Sequence, residues 1–148
     1  MFVFVKGKLK TFNPLKDRPN KYAGQSRWGK NMQRQVDGTL KEAKQTPAYG
    51  EYGMRFNVWV ISAGGNVSTS DKIAFDHPAI FPEALAKDHI LSWSNEGDVV
   101  LDPMCGSGTV PKMAALNNRE WIGIDRVESY INDIATPRLS KYQENKNE

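Results

Sequence analysis

The segment 98–125 most constrains the fold of this chain. It contains a short apolar run, Val99-Val100-Leu101, then a turn with two glycines at 102–109, then a helical pattern to about Leu116. A continuous apolar run is typical of a strand buried on both faces of a parallel sheet. A second strand is predicted at Trp121–Ile124. The order strand, glycine turn, helix, strand predicts an α/β fold built on a partial Rossmann-like sheet.

Weaker patterns predict the remaining elements. Asparagine tolerates the left-handed conformation that ends a helix, and proline suits a helical first turn. The other predicted elements are strands at Met1–Val5 and Asn57–Ser62, a helix over about 82–92 starting at Pro82, a helix end at Asn117-Asn118, and helical spacing of Val127, Tyr130, Ile131 and Ile134. These patterns divide the chain into a strand and connector at 1–12, an irregular basic region at 13–62, an α/β part at 76–142 and a frayed tail at 143–148.

Charge is distributed unevenly along the chain. Residues 1–60 contain 12 Lys and Arg against 4 Asp and Glu, whereas residues 61–148 contain the remaining 8 against 13. The first part therefore carries a net charge of +8 and the second −5, which sum to the overall +3. A segregated basic region indicates a surface that faces a polyanion such as DNA. A solvated basic face that only aids solubility is the alternative.

Several protein classes are excluded by composition. A single cysteine, Cys105, rules out an internal disulfide framework and fits a reducing compartment. The apolar start Met1–Val5 precedes its lysines, which is the reverse of a signal peptide, and no run approaches the roughly 20 apolar residues of a membrane span. His77 and His89 lack partners at ligand spacing, so no metal site is predicted. We expect a soluble cytoplasmic protein.

The turn at 102–109 is the strongest candidate for a ligand site. Glycines at 106 and 108 allow a tight bend and close approach of a ligand to the backbone. A phosphate-binding P-loop would need lysine where Thr109 stands, and a dinucleotide fingerprint would need a small residue where Pro111 stands. The remaining candidate ligand carries an adenosine but no pyrophosphate, as S-adenosylmethionine (AdoMet) does.

A carboxylate supports this interpretation. Asp125 ends the second predicted strand, 23 residues after Asp102. An acidic side chain about 20 residues after the first strand of a Rossmann unit accepts hydrogen bonds from ribose hydroxyls. Capping of the following helix is the alternative role for Asp125, and the two roles are compatible.

Three segments resemble motifs of the DNA amino methyltransferases, which methylate exocyclic amines of adenine or cytosine. Residues 102–109, Asp-Pro-Met-Cys-Gly-Ser-Gly-Thr, are similar to the family's AdoMet-binding motif I. The stretch His77–Glu83 resembles motif X, and Trp121–Asp125, with Tyr130 following, resembles motif II. The stretch Lys6–Pro14 resembles the family's connector into the target-recognition region. The order of motifs X, I and II is that of the β-type enzymes.

The resemblance implies AdoMet as cofactor, double-stranded DNA as partner, and specific site residues. Motifs X and I enclose the methionine end of AdoMet in the family, and motif II holds the ribose. The implied cofactor residues are Phe81, Asp102, Pro103, Cys105, Gly106, Ser107, Gly108, Thr109 and Asp125. Basic side chains of the 13–62 region are the expected DNA contacts, namely Lys16, Arg18, Lys21, Arg27, Lys30 and Arg34. Cys105 is expected to pack in the turn, because methyl transfer to nitrogen needs no cysteine nucleophile.

One family motif is absent from the sequence. The reaction uses Asp/Asn/Ser-Pro-Pro-aromatic to orient the amine and stack the flipped base, but none of the 8 prolines are adjacent. We expect this motif upstream of Met1 or on a separate chain, so that this polypeptide is inactive alone. Without the strand that carries the motif, Val99–Leu101 would offer an unpaired edge for docking. The alternative is a non-enzymatic DNA-binding module that retains a partial AdoMet pocket.

Overall fold

The computed structural model describes residues 4–25, 32–42 and 48–143. It divides into two compact units, Lys16–Asn57 and the combination of Met1–Leu15 with Val58–Glu148. The described strands are β1 (Lys16–Pro19), β2 (Met32–Arg34), β3 (Leu40–Glu42), β4 (Tyr52–Met54), β5 (Val99–Asp102) and β6 (Glu120–Gly123). The helices are α1 (Glu83–Trp93), α2 (Thr109–Leu116) and α3 (Thr136–Gln143), with a 3-10 helix at Lys72–Asp76 and a π-helix at Tyr130–Ala135.

The unit Lys16–Asn57 contains two small antiparallel pairs. Strand β1 pairs with β4, and β2 pairs with β3. The β2–β3 connection is stabilised by Asp37, whose carboxylate accepts hydrogen bonds from the Thr39 N–H at 2.9 Å and the Thr39 hydroxyl at 2.6 Å. The strands are short and largely exposed, so among the described residues of this unit, local turns and strand pairing provide the stabilising contacts.

The other unit has the predicted α/β order. Strands β5 and β6 are parallel, with Val99 opposite Glu120 and Asp102 opposite Gly123, and α2 connects them. A parallel pair needs a crossover element of this kind. The core joins α1 to α2 through Ala86, Ile90, Met113 and Ala114, and Val100 and Trp121 of the sheet pack against it. The predicted strand, glycine turn, helix and strand are confirmed.

The two faces of this sheet differ. Val100, Trp121 and Gly123 face the helices, as the core cluster and the close neighbours of Gly123 on α2 show. The alternate residues form what we call the bare face, because each is more than half exposed. Its apolar members are Val99, Leu101, Ile122 and Ile124, with exposed fractions of 60, 58, 51 and 52%, and the exposed Glu120, opposite Val99, lies on the same face.

Helix boundaries follow the sequence closely. The helix predicted over about 82–92 is α1, and Pro82 directly precedes it with a φ of −62°. Helix α2 ends at Leu116, and Asn118 adopts a left-handed φ of 61°, as the asparagine pair predicts. Helical spacing after Val127 corresponds to the π-helix that continues into α3.

One strand prediction is wrong, and a second can be checked only in part. Asn57–Ser62 forms no strand, and Val58 and Val60 are 74 and 97% exposed. Within this segment, the ring of Trp59 stacks on the ring of His89, with centroids 4.8 Å apart. For the predicted strand Met1–Val5, residues 1–3 lie outside the described part, while Phe4 and Val5 have no strand structure. Alternating apolar residues do not form a strand without a hydrogen-bonding partner.

Candidate functional site

The turn at 102–109 is fixed by backbone hydrogen bonds to β6 and its extension. The Cys105 N–H donates to the Ile124 carbonyl at 2.9 Å, and the Ile124 N–H donates to the Asp102 carbonyl at the same distance. The Gly108 N–H closes the bend by donating to the Cys105 carbonyl at 2.7 Å. The turn is therefore an ordered continuation of the β5–β6 ladder and not a loose loop.

Both glycines of the turn adopt positive φ angles, +48° at Gly106 and +78° at Gly108. A Cβ at 106 would lie 2.8 Å from the His77 Nε2, and one at 108 would lie 3.2 Å from the Leu139 Cδ1. Sequence alone predicts glycine there to let a ligand approach. The structure adds that backbone conformation and close packing with this chain's own side chains also require glycine.

A third glycine, Gly123 on β6, explains how α2 lies close to the sheet. A Cβ at this position would be 3.2 Å from the Cγ of Pro111, the fully buried residue in the first turn of α2. In a dinucleotide fingerprint the small residue for this approach stands on the helix. Here it stands on the strand, so close helix–strand packing is achieved although the helical position carries proline.

Asp125 lies directly beside the turn. Its Oδ2 accepts a hydrogen bond from the Gly106 N–H at 2.8 Å, and its Oδ1 accepts one from the Val127 N–H at 2.9 Å. The bonds from Val127 and Gly106 lower the pKa of Asp125, so the side chain is ionised at neutral pH. Each carboxylate oxygen has a further lone pair available for a ligand. Asp125 thus caps the backbone that follows it and also faces the turn.

The segment 77–83 reaches the same turn through His77. The ring of His77 meets the ring of Tyr130 edge to face, with centroids 4.3 Å apart, and its Nδ1 accepts a hydrogen bond from the Ala79 N–H at 3.1 Å. The close approach of His77 to Gly106 brings motif X and motif I together. Phe81 directly precedes Pro82 and is 39% exposed.

Cys105 is a packing residue in this structure. Its side chain is buried, and its Sγ would be 3.1 Å from a Cβ built on Gly123. Burial, together with the charges of Asp102 and Asp125, raises the pKa of the Cys105 thiol to about 11. A cavity of about 70 Å³ that Cys105 lines with residues of α2, α3 and β6 is too small for an adenosyl group.

We therefore expect Cys105 to resist alkylation in the folded chain. A pKa near 11 leaves a thiolate fraction at pH 8 that is about two orders of magnitude below that of a free cysteine. Iodoacetamide labelling followed by mass spectrometry measures this rate, with the urea-unfolded chain as control. Equal rates in the folded and unfolded chains would contradict the burial of this thiol.

A buried network of charged groups adjoins the turn, and sequence analysis did not predict it. The Arg138 side chain is fully buried on α3, and its Nε donates to the Asp71 Oδ2 at 2.9 Å while its Nη2 donates to the Glu83 Oε1 at 2.7 Å. Lys112 on α2 donates to the same two oxygens at 2.7 and 2.6 Å. The two cations and two anions balance. We call these four residues the buried ion network.

The network also holds the turn itself. The Nη1 of Arg138 donates to the Ser107 carbonyl at 2.9 Å and to the Thr109 hydroxyl at 3.1 Å. Burial alone would raise the pKa of Asp71, but hydrogen bonds from Lys112 and Arg138 outweigh it and hold that pKa far below its usual value. Sequence gives no local signal for the pairs of this network, which join residues 29 to 67 positions apart.

The basic residues predicted to contact DNA belong to the unit Lys16–Asn57. Lys16 and Arg18 lie on β1, and Arg34 ends β2. The Arg18 guanidinium lies 4.7 Å from the centroid of the Phe56 ring, and the Lys21 Nζ lies 5.7 Å from that of Tyr22. The other two predicted contacts, Arg27 and Lys30, are outside the described residues.

Two negative findings concern only residues 4–25, 32–42 and 48–143. In these ranges no group of three or more His, Cys, Asp or Glu side chains could hold a metal ion. Across the same ranges, no helix is both long and apolar enough to cross a membrane.

A parallel β–α–β unit, whose glycine turn donates a backbone hydrogen bond to a carboxylate just after the second strand, defines an α/β protein of the Rossmann-like class. The chain belongs to the DNA methylase family of N6 and N4 methyltransferases, whose profile matches residues 1–136. This confirms the resemblance to DNA amino methyltransferases. The match includes the turn, Asp125 and the segment 77–83.

Curated relatives agree with this assignment. The orphan methyltransferase M.BamHII of Bacillus amyloliquefaciens is 54% identical over 142 residues, which are 96% of this chain and 53% of that protein. The type II methyltransferase M.HpaI of Haemophilus parainfluenzae is 46% identical over 83 residues, covering 56% of this chain and 25% of that protein. The chain thus spans about half the length of M.BamHII and about a quarter of M.HpaI.

Solved structures include similar chains. The complex of M1.HpyAVI with SAM superimposes with a TM-score of 0.43 at 28% identity, covering 58% of this chain and 46% of that one. The DNA modification methylase TTHA0409 of Thermus thermophilus, complexed with S-adenosyl-L-methionine, gives a TM-score of 0.40 at 25% identity over 68% of this chain and 48% of that one.

Proposed function

We propose that this chain forms the AdoMet-binding and DNA-contacting part of a DNA methyltransferase. The proposed reaction is transfer of a methyl group to the exocyclic amine of adenine or cytosine in DNA. We expect the protein to act in the cytoplasm, where its DNA substrate lies. The observation that carries the proposal is the hydrogen bond from the Gly106 N–H to the Asp125 Oδ2 at 2.8 Å. It sets an ionised carboxylate against the glycine turn of a β–α–β unit, where an adenosyl group is recognised.

The residues present fit AdoMet. Asp125 keeps lone pairs that accept hydrogen bonds from ribose hydroxyls. The N–H groups of Gly106 and Gly108 already donate to the Asp125 Oδ2 and the Cys105 carbonyl, so Gly106, Ser107 and Gly108 are proposed to face the methionine end through their other backbone groups. When bound, AdoMet supplies an electrophilic methyl group on its sulfonium. Lining roles are proposed for the other residues of the family motifs, namely Phe81, Asp102, Pro103, Cys105 and Thr109. Cys105 acts only by packing, because its neutral thiol is buried.

Contact with DNA is assigned to the unit Lys16–Asn57 within the basic region 13–62. Lys16, Lys21 and Arg34 are exposed and available to phosphates. Arg18 is also exposed, but its Nε donates to the Met54 carbonyl at 3.3 Å, so part of its bonding capacity stabilises the β1–β4 pair. Arg27 and Lys30 complete the proposed set. Such contacts position the duplex, while base reading needs side chains that enter a groove.

The catalytic half is proposed to come from further polypeptide, here treated as a separate chain. Two observations support this. The sequence has no Pro-Pro-aromatic motif, and the bare face leaves a parallel sheet covered on one side only. Parallel sheets occur almost only with both faces covered. A non-enzymatic module that keeps a partial AdoMet pocket is the alternative, favoured only by the missing motif.

Methyl transfer with isotopically labelled AdoMet tests this proposal. This chain is mixed with the part of M.BamHII that lies outside the aligned 142 residues, and labelled methyl groups on duplex DNA are counted. We expect transfer only in the mixture. Asp125→Ala should weaken AdoMet binding by about tenfold to a hundredfold, because hydrogen bonds to a charged group are lost.

Asp133→Ala is the matched control, since Asp133 is an exposed acid on the π-helix. It should leave AdoMet binding unchanged. A mixture that assembles and binds AdoMet but transfers no methyl group would favour the non-enzymatic module. Equal losses in both aspartate variants would contradict the assignment of Asp125 to the ribose.

A further inference from the structure

The peptide group between Ser107 and Gly108 is held at both of its polar ends. Its carbonyl accepts a hydrogen bond from the Nη1 of Arg138 at 2.9 Å, and its N–H donates to the Cys105 carbonyl at 2.7 Å. This peptide lies in the centre of the turn that the proposed function assigns to AdoMet. Its orientation therefore decides which way one carbonyl and one N–H of that turn point.

Only the N–H end of this peptide has a partner close by in the sequence, the Cys105 carbonyl. Gly108 has a φ of +78°, and glycine populates positive and negative φ about equally well. The peptide group that precedes a glycine can therefore rotate at little steric cost, exchanging the directions of its carbonyl and its N–H. A contact from elsewhere in the chain, made to the carbonyl end, adds to this local bond in keeping one orientation.

Arg138 is well placed to supply that contact. Its guanidinium is fully buried and cannot swing, because Asp71 and Glu83 bind its Nε and Nη2. The Nη2 also donates to the Thr69 hydroxyl at 3.1 Å. A planar group fixed on two sides directs its remaining nitrogen, Nη1, at the Ser107 carbonyl.

We propose that Arg138 is a positioning residue that locks the Ser107–Gly108 peptide in one orientation and so presets the turn for AdoMet. The lock needs the anions Asp71 and Glu83 to hold the guanidinium in place. That AdoMet is the ligand rests on the proposed function, whereas the locking of the peptide does not.

Lys112→Met is the matched control for Arg138→Lys. Lys112 shares the same two anions and is equally buried in the network, but its Nζ bonds go to Asp71 and Glu83 and not to the Ser107 carbonyl. Both variants disturb the buried ion network. Only the arginine variant removes the guanidinium from the peptide, because a single ammonium cannot span the anions and the carbonyl at once.

The test is NMR of the full ligand-free chain labelled with ¹⁵N. We expect Arg138→Lys to introduce microsecond-to-millisecond exchange at the Gly108 amide and to speed its hydrogen exchange by about tenfold or more. Lys112→Met should leave both observables of Gly108 unchanged. Equal changes in the two variants would overturn the proposal, because they would report loss of stability and not loss of the lock.

A second measurement needs no variant and covers the case in which Arg138→Lys does not fold. In the unaltered chain, the Gly108 amide should exchange as slowly as that of the core residue Ala114; fast exchange at Gly108 would overturn the proposal. AdoMet titration then tests the ligand. Arg138→Lys should weaken binding about tenfold while Lys112→Met changes it less than about twofold. NMR changes without any AdoMet binding to the mixture of this chain with the part of M.BamHII outside the aligned 142 residues would contradict the proposed function and leave the positioning role of Arg138 unaffected.

Discussion

Replacing Arg138 with methionine is expected to lower the free energy of unfolding by about 3–5 kcal/mol, the range for breaking a buried ion pair by removing one partner. In the unaltered chain, two buried cations balance the anions Asp71 and Glu83. The variant leaves these two anions with one buried cation, Lys112. It also leaves the buried Ser107 carbonyl without its Arg138 donor. Urea unfolding followed by circular dichroism measures the change.

Lys141→Met provides the control for this loss. The Lys141 Nζ lies 3.3 Å from the Asp71 Oδ1, but its side chain is 58% exposed. Surface ion pairs contribute about 1 kcal/mol or less. A loss in the Lys141 variant as large as that in the Arg138 variant would contradict the importance of burial.

The dependence on pH separates electrostatics from simple loss of packing. The pKa of Asp71 in the folded chain is far below its unfolded value, so its pairing stabilises the fold fully above about pH 4. That stability is lost as the pH falls through the folded pKa. The difference in the free energy of unfolding between the unaltered chain and Arg138→Met should therefore become smaller in acid. If this difference in the free energy of unfolding stays constant below pH 4, the lower stability of Arg138→Met results from lost packing and not from lost ion pairing.

The buried ion network also shows where sequence-based prediction stops. A basic residue on a short helix such as α3 is usually solvated, and Arg138 has no acidic neighbour at helical spacing that would single it out. Its partners Asp71 and Glu83 lie 67 and 55 positions away. Only folding of the 69–83 segment against α2 and α3 makes this arginine an internal cation.

The β5–α2–β6 unit was predictable because each of its signals is local. A continuous apolar run, two glycines and an asparagine pair indicate a strand, a turn conformation and a helix end without reference to distant residues. Burial of that strand on both faces, which the apolar run also predicted, is wrong, because Val99 and Leu101 are 60 and 58% exposed. The supposed strand at Asn57–Ser62 failed because a strand depends on a partner that its own pattern cannot reveal. The nearness of Asp125 to the turn was predictable, while the packing of His77 and Leu139 on the glycines was not.

The bare face gives the last prediction. We expect Leu101→Glu to weaken association with the part of M.BamHII outside the aligned 142 residues, the proposed catalytic half, by at least about a hundredfold. Leu101 is 58% exposed and lies on the bare face with Val99, with Ile122 of β6 and with Ile124, which follows β6. A carboxylate placed in the middle of this surface would be buried without a partner when a second half covers it. Sedimentation velocity of the mixed halves measures the association.

Leu116→Glu is the matched control, because it makes the same substitution at a leucine that is 52% exposed but lies at the end of α2, away from the bare face. It should leave association within about twofold. Sedimentation of this chain alone separates two possible occupants of the face. If the unaltered chain dimerises and Leu101→Glu abolishes the dimer, a second copy of this chain covers the bare face. If Leu101→Glu leaves association of the two halves intact, the catalytic half does not bind at the bare face.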